Sequence, residues 1–305
     1  MKKYLTPALA LSALLLGACV DSLGPGNVSE EDREDILATL EESGFFSDGF
    51  GTEGVSDQVV AYLDGDAAPR VWGRRRGLPV SRVVEVTFDR EAGTAAVTKT
   101  VNFDGEFLVR LDDGSISSKP LNEQLTQTAL LEHLAEDRVN DHTGRRTRWG
   151  LLEISPKELQ AIDETLRTVN VEQVRVVVNG VTVLDIIDPS ERLPIERGGV
   201  ALLNVGDEVS VYADVANTTN LEENETYVFL HLAHARDDAV GWRRVMMEYS
   251  EDRGEWVAHW VVRHAGREFV MVDALDSGSF EAEGEYRANI WGLPYRVVET
   301  DATVD

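Results

Sequence analysis

Six histidines, a single cysteine, 24 arginines and 55 carboxylates define the chemistry open to this chain of 305 residues. His231 and His234 have the spacing of a metal-binding pair, but they fall in a run that reads as a strand. Residues three apart in a strand face opposite sides, so one ion is not easily shared. His259 and His264 straddle an expected hairpin bend, while His133 and His142 have no comparable company. Nucleophile signatures are missing: there is no G-x-S-x-G and no H-E-x-x-H, and the sole cysteine, Cys19, lies near the amino terminus. Gly49-Phe50-Gly51-Thr52-Glu53-Gly54 matches G-x-G-x-x-G, yet a helix precedes it and no βαβ unit surrounds it, so it reads as a loop. Carboxylate pairs such as Asp237-Asp238, or Asp273 with Asp276, discriminate nothing in so acidic a chain. Asp112-Asp113-Gly114 and Asp273 to Ser279 offer oxygen ligands to calcium but miss the EF-hand spacing. The sequence therefore calls for no metal and no cofactor, and no catalytic residue is assigned.

Arginine is the more distinctive signal. It gathers with tryptophan in three patches: Arg70, Trp72, Arg74, Arg75 and Arg76; Arg145, Arg146, Arg148 and Trp149; and Trp242, Arg243 and Arg244. A guanidinium fork matches carboxylate or phosphate and also stacks on indole. Such a patch suits an anionic ligand or a lipid headgroup, or pairs with acidic side chains of its own chain. Arg74, Arg75 and Arg76 are the candidate anion-binding residues, because they sit in an expected loop flanked by glycine.

The overall balance of 29 basic against 55 acidic residues gives a net charge of -26, which repels phosphate backbones and disfavours nucleic-acid binding. One cysteine rules out an intramolecular disulfide and a cysteine-rich zinc site. Five lysines against 24 arginines fit either a GC-rich genome or a salty habitat, where a dense anionic surface stays hydrated.

The elements that would position these residues follow from periodicity. Ser29 with Asp32 resembles a capping box, and Ile36, Leu37 and Leu40 form one apolar stripe up to Gly44, so a first helix is expected there. A second short helix is expected over Ser56 to Leu63. From Val80 the period becomes two, giving a hairpin of Val84 to Phe88 with Ala95 to Phe103, a turn at Asp104-Gly105, and a strand from Phe107 to Leu111. Residues 121 to 136 suit helix or strand, and strand is favoured; Arg148 to Ile154 is a further strand. Ser155-Pro156-Lys157-Glu158 has the form of a helix start, so a linker helix is expected over 156–170. Beyond it, Val174 to Val178 and Val181 to Ile186 flank Asn179-Gly180, a strong hairpin signal. Six more strand-like runs extend to Trp291.

Residues 1–18 begin with Lys2 and Lys3 and run through an apolar stretch too short to span a bilayer, the form of a secretory signal. Leu16-Gly17-Ala18-Cys19 at its end resembles the lipobox of bacterial lipoproteins. The resemblance implies cleavage before Cys19 and lipid attachment to it. Several acyl chains hold a protein for practical purposes permanently, at about 0.8 kcal/mol per buried methylene. In lipoproteins an acidic residue directly after the cysteine can favour inner-membrane retention, so Val20 leans toward the outer membrane, on its periplasmic or surface face. Residues 19–28 read as a flexible tether.

Residues 29–155 resemble an NTF2-like α+β cone, with helices before a curved antiparallel sheet, and 171–300 resemble an immunoglobulin-like β-sandwich, followed by a tail at 301–305. These resemblances imply two domains and transfer no function. The expected role is non-enzymatic: a lipid-anchored envelope protein that binds or assembles with an envelope partner. The alternatives are a small-ligand or hydrolytic pocket in the first domain, which a convergent polar cluster would favour, and carbohydrate binding by the sandwich, with Trp256, Trp260 or Trp291 on an exposed face.

Overall fold

The structure is a computed structural model that describes residues 29–48, 71–139, 146–195, 200–219, 225–236, 239–263 and 266–298. The expected helix at Ser56 to Leu63 and the glycine motif at 49–54 lie outside these residues, as do Cys19 and the tether. Helix α1 (Glu30–Glu42) starts where Ser29 Oγ accepts from the Asp32 amide, and it buries Ile36 and Leu40. The rest is dominated by alternating apolar residues, and the chain forms strands accordingly.

The first strands are long: β1 (Trp72–Asp89), β2 (Thr94–Arg110) and β3 (Ile116–Val139). They are followed by β4 (Arg146–Ile154), β5 (Lys157–Ala161), β6 (Val169–Val178), β7 (Val181–Ile186) and β8 (Leu193–Pro194). Next come β9 (Ala201–Asn204), β10 (Glu208–Asn217), β11 (Thr226–Arg236) and β12 (Ala239–Met246). The last are β13 (Glu248–Ser250), β14 (Glu255–Val261), β15 (Gly266–Asp276) and β16 (Ala288–Val298).

Eleven strands make one sheet, ordered β1-β2-β3-β5-β16-β15-β11-β12 with β4, β8 and β9 attached at its side. The 24 residues of β3 let it pair with β2 along one side and with β5 and then β4 along the other. A second, five-stranded sheet (β13-β14-β10-β6-β7) lies across β15 and β16. Val174, Val176, Val209 and Val211 turn inward from it, as period two requires, and share one core with Val270, Val272 and Leu293. The turn between β6 and β7 places Asn179 at φ 50° and Gly180 at φ 84°, the conformation that this dipeptide tolerates.

The α+β reading of residues 29–155 is overturned: strands make up 66% and helix 9%, and the first part is not an NTF2-like cone. Its curved antiparallel strands continue directly into β16, β15, β11 and β12, so the expected division at 156–170 falls inside one hydrogen-bonded sheet. An all-β sandwich is compatible with the second part. The linker helix is also corrected. Ser155 Oγ, read as a cap, accepts from the Thr128 amide of β3, and Lys157, Leu159 and Ala161 alternate inward as β5. Only a short 3-10 turn, Glu164–Leu166, follows. Nor does the chain turn at Asp104-Gly105, because β2 runs straight through it.

Gly105 has another use. A Cβ there would lie 2.3 Å from the Arg75 carbonyl oxygen, so the glycine lets β1 come close where its register shifts between Arg76 and Pro79. Gly105→Ala is expected to lower unfolding stability by about 2 kcal/mol or more, since backbone atoms rather than a flexible side chain must give way. Urea denaturation checks this; an unchanged midpoint would refute the close approach.

Candidate functional site

The eleven-stranded sheet curls. Its two end strands do not pair, but Arg244 of β12 donates to the Trp72 carbonyl of β1 at 3.3 Å and lies 3.5 Å over the Trp72 ring. Residues on the inner face of the curl are fixed by register. Arg74 is opposite Phe107, Phe103 is opposite Glu123, and Asp273 is opposite Phe229. Arg74 and Arg76, two apart on one strand, must therefore point into the same interior.

Inside, a chain of polar groups crosses from β11 to β1. His231 Nε2 is 2.8 Å from Asp273 Oδ2, and Arg74 forks onto both oxygens of Asp273 at 2.5 and 2.8 Å. Arg74 Nε donates to Tyr286 Oη at 2.7 Å, and Tyr286 in turn donates to Glu123 Oε1 at 2.6 Å. Arg76 Nε completes the chain on Glu123 Oε2 at 2.7 Å. All six are largely or wholly out of solvent, packed beside Trp72, Phe107, Leu121 and Phe229.

Burial and charge set the protonation states. Burial would raise the Asp273 carboxyl, but Arg74 and the bond from His231 hold it well below the usual carboxylate range. Burial pulls the Arg74 guanidinium down, yet Asp273, Tyr286 and Glu123 leave it raised overall. Burial pushes His231 down to about 4, against the pull of Asp273, so it is neutral near pH 7. Its Nε2 faces an anion and must carry the proton. Tyr286 is raised well above its ordinary value, chiefly by burial, and stays a phenol.

The sequence candidates separate here. Arg74 and Arg76 meet Asp273 and Glu123 rather than an outside anion, and Arg75 is exposed and pairs with Glu106 at 3.2 Å. Arg148 is exposed, Trp149 is buried edge-on to Phe88, and Arg70 and Arg145 lie outside the described residues. His259 Nδ1 is 2.7 Å from Ser210 Oγ on the outer face of the second sheet, and the His133 ring stands edge-on to Trp149. His142, His264, Asp237 and Asp238, and the side chain of His234, are not among the described residues. Asp113 accepts from the Ser115 amide and hydroxyl, and Asp276 from the Gly278 amide. Among the described residues no group of three or more His, Cys, Asp and Glu side chains is placed to hold a metal.

The interior cluster is convergent and polar, and each member is bonded to another. Trp291 is buried, and Trp256 and Trp260 are half-buried against the core, so these three do not form the exposed row that carbohydrate binding would need. Sequence reasoning missed Asp273, His231, Tyr286 and Glu123 as partners of the arginines. The available signal was the two-residue spacing of Arg74 and Arg76 on a strand. No protein-family model matches the chain, and neither does any of the curated proteins or solved structures compared with it.

Two outcomes follow. Arg74→Met is expected to cost about 3–5 kcal/mol because it strands Asp273, whereas Arg74→Met with Asp273→Leu recovers most of that loss; chemical denaturation of both variants measures the difference. His231 binds fewer protons folded than unfolded between pH 6.5 and 4, so stability falls as pH drops through that window. The fall is on the order of 3 kcal/mol, and His231→Gln is expected to flatten it. Equal pH slopes for both proteins would exclude His231 as the source.

Proposed function

We propose that this is a lipid-anchored protein of the bacterial cell envelope, held in the outer membrane through Cys19. It acts by presenting its folded body to an envelope partner rather than by catalysis. One observation carries the proposal: Leu16-Gly17-Ala18-Cys19 closes an apolar run behind Lys2 and Lys3, and Cys19 is the only cysteine in the chain. The tether, residues 20–28, supplies a reach of about 15–20 Å as a flexible coil.

The folded part supports a non-enzymatic role. Its buried acid, base and phenol are bonded to one another, which suits holding a shape. Among the described residues no helix is long and apolar enough to cross a membrane.

Cys19→Ser tests it. The native chain is expected in the membrane fraction, with an intact mass that begins at Cys19 and exceeds the peptide by its acyl groups. The variant is expected in the soluble fraction, or retained with its leader uncleaved. Identical fractionation and cleavage of the two proteins, or a native Cys19 without lipid, would overturn the proposal.

A further inference from the structure

The large sheet curls without closing, and a seam remains between β1 and β12. The two strands run antiparallel and meet where Arg244 reaches Trp72; from that contact residues 72–76 and, in reverse, 244–239 line the seam. Among the described residues neither facing edge has a ladder partner. No run of Cα pairs within 8 Å joins the strands, so they stay wider apart than one strand spacing of roughly 4.8 Å. An edge with unpaired N–H and C=O groups is a template for a further strand.

The seam is also the basic part of an acidic chain. Residues 72–76 and 239–246 contain Arg74, Arg75, Arg76, Arg243 and Arg244 and no acidic residue. Arg74, Arg75 and Arg76 are paired with Asp273, Glu106 and Glu123, whereas Arg243 and Arg244 join no ion pair among the described residues. Arg244 is opposite His231 and half-buried. Its Nη1 donates to the Trp72 carbonyl at 3.3 Å, its guanidinium lies 3.5 Å from the Trp72 ring centre, and its Nε is buried without a hydrogen-bond partner. The cluster therefore holds three guanidiniums, Arg74, Arg76 and Arg244, against two carboxylates, Asp273 and Glu123, because His231 is neutral. Burial pulls the Arg244 guanidinium down to about 10; Asp273 opposes the shift and Arg74 adds to it. A desolvated cation with an unused donor and no anion is costly, and a carboxylate entering the seam would relieve both deficits.

We propose that an extended, acidic segment of the envelope partner adds to the free edge of β12 and places a carboxylate on Arg244. The inference rests on the partner-binding reading above and names the chemistry of that partner. Backbone bonds to the edge supply affinity with little regard to sequence. A residue directly opposite Arg244 on the added strand has its Cβ within about 5.5 Å of the arginine's, inside the reach of a charge-assisted pair. Stacking on Trp72 already orients the guanidinium, so little freedom is lost when the carboxylate arrives. β1 is the poorer edge, because Pro79 lacks an N–H and the register shifts on both sides of it.

Isothermal titration of the full-length protein in detergent, at physiological salt, tests this with three blocked peptides. They are Thr-Val-Asp-Val-Thr-Val, the same peptide with Asn for Asp, and the Asp peptide with its backbone nitrogens methylated. The Asp peptide is expected to bind saturably at one equivalent and the Asn peptide at least tenfold more weakly. The methylated peptide, which cannot complete a ladder, is expected not to bind. In Arg244→Gln the Asp and Asn peptides are expected to bind alike, whereas Arg296→Gln, at an exposed arginine of β16, keeps the preference for Asp. Melting curves show whether each variant is folded; if Arg244→Gln is not, the three peptides on the native chain decide. Absence of saturable binding, equal binding of the Asp and Asn peptides to the native chain, or undiminished binding of the methylated peptide would overturn the proposal. So would binding to anionic lipid vesicles that Arg244→Gln abolishes in a protein that takes no peptide, since the arginine would then serve a lipid surface. The titration does not involve Cys19, so its failure leaves the lipid anchor standing, and an unlipidated Cys19 leaves the seam site standing.

Discussion

The fork from Arg74 to Asp273 is the constraint on which the shape depends. The strands at the two ends of the large sheet are β1 and β12, and no ladder of backbone bonds joins them. Side chains do that work instead: Arg74 ties β1 to β15, and Arg244 ties β12 back to Trp72. Two parallel N–H···O bonds fix direction as well as distance, which a single ammonium contact cannot. Burying such a pair gains little net stability, because removing both ions from water costs about as much as their attraction returns. Its contribution is to specify how far the sheet curls, since Asp273 out of reach of Arg74 would be a buried carboxylate held only by the neutral His231.

Lysine is used in the same interior in a related way. Chain-wide there are five, and the three within the described residues, Lys99, Lys119 and Lys157, are all buried. Lys99 donates to the carbonyls of Phe46 and Ser47, and Lys157 to Ser47 Oγ. Gln127, opposite Lys99 on the next strand, donates to the Phe45 carbonyl. A row of polar side chains across β2, β3 and β5 thus pins the segment that follows α1 onto the open side of the curl. Burial lowers the Lys99 ammonium to about 8, with Asp48 opposing the shift, so the clamp keeps most of its charge at neutral pH. An ammonium on a four-carbon stem can turn its three donors toward several carbonyls of an irregular segment, a task for which the planar guanidinium is less suited.

Local signals in the sequence were legible where local physics decides the outcome. The Ser29 cap, the period-two runs and the Asn179-Gly180 turn each depend on a few neighbouring residues, and each is present in the structure. The expected helix at 156–170 failed because Ser155 and Pro156 look alike at a helix start and in a crossing between two strands. What decided between them was Thr128, far back in the chain, which donates to Ser155 Oγ. The same distance hid the cluster. Arg74 and Asp273 are 199 residues apart, and nothing between them records that β1 and β15 will face each other. For a related reason the sequence did not show that β5 and β16 would be hydrogen-bonded to each other across the expected boundary.

The long strands also bear on how such a body would stand at a membrane. At roughly 3.3 Å per residue, the 17 residues of β2 extend about 55 Å, well beyond the 15–20 Å reach proposed for the tether. Helix α1, where the described chain begins, packs on β4 and meets it through Thr39 and Thr147. Under the proposed anchoring, α1 would be the element nearest the tether in sequence, whereas a strand as long as β2 exceeds the tether's reach. A body anchored in that way would turn about its attachment and could not diffuse freely away from the bilayer. Its acidic surface further opposes lying flat on an anionic leaflet. Under the proposed anchoring, both effects favour a partner met at some height above the lipid.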